Sequence, residues 1–237
     1  MSVVNSMRQY LPRLLGRLLL LTGRLLPLGS PWERISVPVP AGAFGPGSRR
    51  QFAQYLEGRS AVPVETIEDI VNWLRGCEYV TDTAQFSEQD VWQHPSSFEQ
   101  TRRGDCEDFA LWAWRKLSEI GIDAEFYVGR AIWGVEPGDS CQHAWVVYRV
   151  HDVAFLFEPA AKSRDAMIRS LGEVMDRYMP HFAVTQGLHT VAFGGFLLDT
   201  RRVRGNWLSF ASADQRCTDE RQLSSVNQAT RNTHAVQ

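Results

Sequence analysis

The stretch that decides the fold is 101–117, TRRGDCEDFALWAWRKL. Gly104 and Asp105 are a helix start signal and Gly121 is a stop signal, so the sequence predicts a helix over Asp105–Ile120. One face of this helix is apolar, and its members are Cys106, Ala110, Ala113, Leu117 and Ile120. We therefore expect a core helix that carries a thiol in its first turn.

Segments on both sides of this helix predict further helices and strands. The β-type segments are Ala124–Trp133, His143–Tyr148 and Val153–Phe157. Additional helices are expected over Arg49–Glu57, Thr66–Arg75 and Ser163–Tyr178, and Phe182–Leu198 is β-prone but interrupted by glycines.

Composition and charge exclude several protein classes. The chain has 237 residues, of which 44% are apolar and 11% aromatic, so it can bury a core and is neither collagen, coiled coil nor wholly disordered. The net charge of -2 combines about +6 in residues 1–50 with about -8 in the remainder. An acidic folded part argues against nucleic-acid binding. Four scattered cysteines with no CxxC pair argue against a disulfide scaffold or a zinc ribbon and favour a reducing, cytoplasmic location.

The N-terminal segment is rich in leucine and interrupted by arginine. Between Leu11 and Leu28, Arg13, Arg17 and Arg24 lie within about 40° of one another on a helical wheel. This pattern is typical of a cationic helix at the inner face of a membrane, and residues 11–28 are our candidate for peripheral membrane contact. The alternatives are a helix packed on its own domain, an uncleaved leader, or a start codon placed too early.

Composition also divides the chain into four parts. Residues 1–35 form the cationic segment, and 36–63 form a Pro- and Gly-rich arm with a short helix. Residues 64–205 are expected to form the main domain. Residues 206–237 are polar and are expected to be disordered.

Three side chains carry the candidate chemistry. Unsatisfied N–H groups at a helix start favour a thiolate, so Cys106 is a candidate nucleophile with an exposed sulfur, although Asp105, Glu107 and Asp108 oppose that charge. His143 shares a strand face with Trp145 and Val147 and could accept the thiol proton.

A hairpin through residues 149–152 would place Glu158 opposite His143, because 143 + 158 equals 148 + 153. A carboxylate there could orient the imidazole by accepting its other N–H group.

Three motifs together resemble the transglutaminase-like cysteine peptidase superfamily. They are GDCEDFALWAWRKLSEIGIDAEFYVG, QHAWVVY and FEPA, and the preceding VWQHPSSFEQTRR resembles the lead-in of the bacterial group that has a GDCEDYA-type sequence. The resemblance covers residues 64–160. It implies a papain-like α+β fold, in which the nucleophile helix packs on an antiparallel sheet.

The resemblance also implies roles for the three residues. Cys106 would be the nucleophile, His143 the general base and acid, and Glu158 the orienting carboxylate, where the family usually has Asp. The activity would be that of a cysteine protease or amidase if water takes the acyl group, or of a transglutaminase if an amine does. The substrate would be a protein or peptide, and no cofactor or metal is expected.

The oxyanion of such a reaction needs two donors. The backbone N–H of Cys106 is the natural first donor. A side chain upstream would supply the second, and the candidates are Gln93, Trp92, Trp73 and Tyr79. Trp133 and Trp145 are candidates for the walls of the cleft.

Three other readings of the same residues remain. The first is a non-catalytic binding module, in which Glu158 marks a degenerate triad. The second is a metal site made of Cys106, Cys141 and His143, since Cys141 and His143 share a strand face. In the third, Cys141 is a redox partner that forms a reversible disulfide with Cys106.

Overall fold

The computed structural model describes residues 29–202, except 41, 46, 49 and 133–139. The predicted amphipathic helix over 11–28, the cleft candidate Trp133 and the predicted tail 206–237 lie outside these residues. Within the described ranges, no helix has the length and apolar character needed to cross a bilayer.

The described chain alternates short helices with the strands of an antiparallel sheet. The helices are α1 Phe52–Leu56, α2 Ile67–Arg75, α3 Asp82–Phe86, α4 Pro95–Thr101, α5 Cys106–Glu119, α6 Arg164–Met167, α7 Leu171–Val174 and α8 Gly194–Arg202. The strands are β1 Arg34–Ile35, β2 Glu78–Tyr79, β3 Arg103–Gly104, β4 Asp123–Ile132, β5 Ser140–Val150, β6 Val153–Phe157, β7 Ile168–Ser170, β8 Tyr178–Val184 and β9 Thr190–Phe193.

Seven strands form the main sheet in the order β1-β9-β8-β4-β5-β6-β7, and all of its neighbours are antiparallel. Strands β2 and β3 form a separate parallel pair directly before α5. Helix α5 packs on β4 and β5 at the centre of the sheet. This arrangement confirms the α+β class, with the predicted nucleophile helix on an antiparallel sheet.

Local signals explain where the helices begin. Thr66 caps α2 through a hydrogen bond from the backbone N–H of Asp69, whose side chain accepts from the N–H of Thr66, so the predicted capping box is present. Helix α5 begins at Cys106, with Asp105 as its N-cap residue, and ends before Gly121, which has a φ of 76°. These boundaries confirm the two helices to within one residue.

Helix α5 is buried on nearly all sides. Its apolar face contacts a core that includes Phe126, Val146 and Phe157 of the sheet. Its last turns carry Lys116, which is fully buried and donates hydrogen bonds to the Val62 carbonyl and to Glu119. A helix held this firmly gives its first residue a fixed position.

A second apolar cluster lies on the other sheet face. Its members include Tyr127, Trp145, Val147, Leu156 and Phe193, and Trp32 packs against it. The strand residues therefore alternate between two buried faces, which explains why β4 and β5 are apolar on both.

The β5–β6 hairpin corrects the predicted register by two residues. Val150 pairs with Val153 and Val146 with Phe157, and the turn consists of His151 and Asp152 alone, both with positive φ. Extending this register places position 158 opposite 145, not 143. Because strands alternate with a period of two, a two-residue shift leaves each side chain on its predicted face.

The predicted continuous helix over Ser163–Tyr178 is confirmed only in part, because the stretch is divided into α6, β7, α7 and a 3-10 turn over Met175–Arg177. Ser163 caps only the short α6, after which β7 joins the sheet edge beside β6, and Tyr178 begins β8. The helical spacing of apolar residues in this stretch is real, but the open edge of β6 offers backbone hydrogen bonds that local spacing does not reveal. In the β-prone stretch 182–198, β9 forms as expected, whereas Gly194 begins α8.

Candidate functional site

Cys106 lies at the first position of α5, as predicted, but its sulfur is not exposed. Only 3% of the residue is accessible, so the expectation of an exposed tip is wrong. The thiol lies 3.1 Å from Oε2 of Glu107, to which it donates a hydrogen bond. The carboxylate of Glu107, which follows Cys106 in sequence, thus also contacts its sulfur.

His143 and Glu158 form a buried pair on the face of Trp145. The imidazole Nε2 lies 2.7 Å from Oε2 of Glu158, and both residues are at most 3% exposed. The second ring nitrogen, Nδ1, makes no hydrogen bond within the described part of the chain. In the observed register, position 158 lies opposite Trp145, and His143 is two positions from Trp145 on the same face. The side chains of His143 and Glu158 therefore meet diagonally across the two strands.

Aromatic residues fix this pair from the same face. The Trp145 ring stacks on the His143 ring with centroids 6.2 Å apart, and Tyr178 packs edge-on against Trp145 at 5.1 Å. The Tyr178 hydroxyl donates to Oε2 of Glu158 over 3.1 Å. Sequence reasoning missed Tyr178 because it placed that residue at the end of a helix.

Five buried carboxylates surround the start of α5. Their ligand oxygens form overlapping groups in which all atoms lie within 4.8 Å of one another, and the members are Asp82, Asp90, Asp105, Glu107 and Asp108. Sequence reasoning singled out the three around Cys106 but not Asp82 and Asp90. Asp82 and Asp90 lie 24 and 16 residues before Cys106 in the sequence, so only the fold brings them to the start of α5.

Burial and mutual repulsion change the acidity of this cluster. Burial, followed by the negative charge of Glu107, raises the pKa of Asp105 well above its usual range. Burial also raises the pKa of Asp108 well above its usual range, against the hydrogen bonds that Gln93 donates. Clustered carboxylate oxygens are the ligands of hard divalent cations, so these residues fit such an ion.

The side-chain N–H groups of two oxyanion candidates, Gln93 and Trp92, already donate hydrogen bonds to other groups. The Gln93 side-chain amide donates to Asp108 and to the Arg103 carbonyl, and its oxygen accepts from Thr101. The Trp92 indole donates to Oδ1 of Asp90 over 2.9 Å. Both side chains thus donate hydrogen bonds to the acidic cluster, and neither has a side-chain N–H group left for an oxyanion.

The other two candidates lie at different heights along α5. Trp73 stacks on Trp112 with centroids 4.0 Å apart, six residues and about 9 Å of helix rise beyond Cys106. Tyr79 pairs with Gly104, two residues before Cys106, and its ring packs against Phe109. Tyr79 is therefore the side-chain candidate that the fold holds beside the helix start.

The alternatives that involve Cys141 gain no contact with Cys106. Cys141 belongs to the second apolar cluster and is disulfide-bonded, whereas Cys106 and Cys77 are free thiols. The disulfide between Cys106 and Cys141 is thus not formed. Cys141 and His143 are also absent from the groups of potential metal ligands found among the described residues.

The sequence is similar to one known protein superfamily. The sequence model of the transglutaminase-like superfamily matches residues 50–156, a range that includes Cys106 and His143. No protein with a curated description matches the sequence.

Three solved structures are similar to parts of this chain. Legionella pneumophila LapG is 16% identical, with 60% of this chain and 75% of LapG covered and a TM-score of 0.41. Its calcium-bound form is 14% identical, with coverages of 76% and 87% and a TM-score of 0.42. A proposed cysteine protease from Cytophaga hutchinsonii is 14% identical, with coverages of 59% and 54% and a TM-score of 0.32. By this match, residues 50–156 of the chain are similar to the transglutaminase-like superfamily.

Proposed function

We propose that this domain catalyses thiol-dependent acyl transfer on peptide or side-chain amides. In this proposal Cys106 is the nucleophile, His143 the general base and acid, and Glu158 the orienting carboxylate. The observation that carries it is the buried His143–Glu158 hydrogen bond, which leaves Nδ1 of the same ring without a hydrogen bond among the described residues. An imidazole held at one nitrogen and without a hydrogen bond at the other can act as a general base toward a thiol that reaches it. In the structure this nitrogen is buried and makes no hydrogen bond to Cys106, so the proposal requires the thiol to come within reach of Nδ1.

The chemistry follows from these roles. His143 accepts the proton of Cys106, and the sulfur attacks the carbonyl carbon of the amide. His143 then returns the proton to the departing amine, which leaves a thioester on Cys106. Water or a second amine attacks the thioester and releases the acyl group. Glu158 stabilises the imidazolium that forms in each half of the reaction, because its carboxylate accepts the Nε2–H group.

The helix start would stabilise the oxyanion. Cys106 is the first residue of α5, and N–H groups in a first helical turn have no partner within the helix. Its backbone N–H would be one donor, and the Tyr79 hydroxyl is our candidate for the second. We expect Tyr79→Phe to slow acyl transfer without lowering thermal stability by more than a few degrees, as measured by turnover and by thermal melting.

In this proposal, the acidic cluster at the start of α5 also binds a cation. Asp82, Asp90, Asp105, Glu107 and Asp108 would hold a hard divalent cation. A bound cation would supply positive charge that offsets the repulsion between these carboxylates and a thiolate. Without a bound cation, the hydrogen bond from the Cys106 thiol to Glu107 favours the protonated form of the sulfur.

Alkylation of the two free cysteines tests the nucleophile. Both Cys106 and Cys77 are buried, but burial raises the pKa of the Cys77 thiol and Cys77 belongs to no proposed triad, so it is a matched control. Brief exposure to iodoacetamide near neutral pH should label Cys106 faster than Cys77, as measured by mass spectrometry of the peptides. His143→Gln should abolish the difference. Equal labelling in the unmodified protein would contradict the proposal.

A second measurement separates hydrolysis from transamidation. Casein and a dansylated primary amine would be incubated with the protein. Fluorescence in the casein band would indicate transfer to the amine, whereas shorter casein fragments would indicate hydrolysis of peptide bonds. Cys106→Ser should abolish either product. This experiment also tests whether the substrate is a protein.

One observation favours the alternative, a binding module with a degenerate site. Cys106 is buried and hydrogen-bonded to Glu107, which opposes a thiolate. If Cys106 reacts no faster than Cys77 with and without added divalent cation, and casein is unchanged, this alternative is preferred.

A location at the inner face of a membrane remains a proposal. It depends on residues 11–28, which lie outside the described residues. Co-sedimentation with anionic vesicles should be lost when 1–28 are deleted, while neutral vesicles should not bind either protein.

A further inference from the structure

The glutamate of the proposed triad needs more support than a shorter carboxylate would. Glu158 follows the last residue of β6, and its side chain has one more rotatable bond than aspartate. Each additional free torsion spreads the carboxylate over more positions. Its backbone N–H donates to the Met167 carbonyl over 2.7 Å, which holds the main chain but not the side chain.

A phenol from a distant strand holds that carboxylate. Tyr178 belongs to β8, which is separated from β6 by β4 and β5 in the order of the sheet. Its hydroxyl donates to the same oxygen, Oε2, that contacts His143, over 3.1 Å. Oε2 is thus held from two directions, while Oε1 makes no hydrogen bond within the described ranges.

The phenol is itself rigidly placed. Tyr178 is 6% exposed and packs edge-on against Trp145, which stacks on His143. Burial and the neighbouring charge of Glu158 raise the pKa of Tyr178 well above its usual range, so the hydroxyl keeps its proton and remains a donor. The aromatic contacts and the hydrogen bond therefore act on the same pair.

We propose that Tyr178 is a positioning residue of the active site, whose hydroxyl holds the Glu158 carboxylate in the orientation that His143 requires. This inference rests on the proposed function. It predicts that the hydroxyl matters because the carboxylate belongs to a glutamate, and that a shorter side chain would lose the contact with Tyr178.

The test is a double-mutant cycle on the rate of Cys106 alkylation by iodoacetamide. Tyr178→Phe removes one oxygen and keeps the ring that packs on Trp145. It should slow alkylation about tenfold, the effect of one hydrogen bond to a charged group. In the Glu158→Asp background the same change should slow alkylation less than about twofold, because the shorter carboxylate no longer reaches the phenol.

Tyr127→Phe is the matched control. Tyr127 also donates to a buried carboxylate, Glu125, and also packs on Trp145, but it has no contact with Glu158. This variant should leave the alkylation rate within about twofold of the unmodified protein, as expected for a site outside the network. Thermal melting of all variants would separate loss of positioning from loss of folding.

A second readout does not depend on reactivity. The imidazole nitrogen resonances of His143 should form one sharp set in the unmodified protein and should broaden or split in Tyr178→Phe. Equal slowing by Tyr178→Phe in both backgrounds, or an unchanged imidazole spectrum, would overturn the inference. If His143→Gln leaves alkylation unchanged while the spectrum still responds to Tyr178→Phe, the positioning holds and the proposed function fails.

Discussion

Two histidines of the sheet each face a buried carboxylate, but the third group differs. The His143 Nε2 lies 2.7 Å from Glu158, whose carboxylate also accepts from the neutral phenol of Tyr178. The His181 Nε2 lies 3.3 Å from Asp199, whose carboxylate also accepts from the Arg130 guanidinium over 3.0 Å. Both pairs are almost fully buried.

The charge of the third group decides what each carboxylate can do. Burial alone would raise the pKa of Asp199, but the nearby His181 and the charge of Arg130 lower it below its usual value. The negative charge of Asp199 is therefore already offset by Arg130. Among the described residues, no arginine or lysine side chain donates a hydrogen bond to Glu158, so its charge is available to an imidazolium at His143. A buried histidine–carboxylate pair is thus not by itself evidence of catalysis.

The largest expected difference between the pairs is in acyl transfer. His143→Gln should reduce the release of p-nitrophenol from p-nitrophenyl acetate by about 10²- to 10⁴-fold, because it removes the general base. His181→Gln changes the same residue type at the other pair and should leave the rate within about threefold, as expected for a group outside the reacting site. Equal losses in both variants would show that the comparison is mistaken.

For stability, we expect the larger effect at the His181–Asp199 pair. Asp199→Asn leaves the mostly buried Arg130 without its carboxylate and should lower the free energy of unfolding by about 3–5 kcal/mol. Glu158 forms no ion pair with an arginine or lysine among the described residues, so Glu158→Gln should cost only about 1–3 kcal/mol. Urea denaturation measures both. Replacing Asp199 and Arg130 together by Leu and Met should restore much of the loss, and a double variant as unstable as Asp199→Asn would argue against a charge effect.

The Asp199 pair should also respond to acid. Because the folded-state pKa of Asp199 is lowered, its contribution to stability is present above the unfolded value of about 3.9 and is lost as the pH falls through the folded value. The difference in unfolding free energy between the unmodified protein and Asp199→Asn should therefore be constant above about pH 5 and should shrink below about pH 4. Urea denaturation over this range measures it, and a difference that grows with acid would contradict the argument.

The smallest expected effect concerns the turn that sets the Glu158 pair. His151 and Asp152 both have positive φ, which asparagine and glycine adopt with less strain. The double change His151→Asn and Asp152→Gly should raise the free energy of unfolding by up to about 1 kcal/mol, because relief of left-handed backbone strain exceeds the entropy that the new glycine adds to the unfolded chain. Alkylation of Cys106 should be unchanged, since the register is the same. A loss of stability would indicate that the His151 or Asp152 side chain makes contacts that stabilise the folded protein.

Local signals were sufficient for α2, α5 and the β5–β6 hairpin. A capping box, a Gly-Asp start and a Gly stop each act within a few residues, so they can be read from the sequence. The shared face of His143 and Trp145 follows from strand alternation, and it survived a two-residue error in register because the alternation has a period of two. The catalytic roles of Cys106, His143 and Glu158 stay predictions.

Other features depended on partners far away in the chain. The helical spacing in 163–178 was overruled by the open edge of β6 and by the place of β8 in the sheet. The acidic cluster at the start of α5 includes Asp82 and Asp90, which come from a separate segment.

The sequence by itself determined the central helix and the identity of the chemical groups, because these depend on short-range periodicity and on residue type, and its resemblance to a known superfamily implied the α+β class. Only the tertiary structure decided that Tyr178 reaches Glu158, that Arg130 neutralises Asp199 and that five carboxylates gather at one helix start. Those contacts join residues that are many positions apart. Their strength depends on distance and burial, which a one-dimensional pattern does not specify.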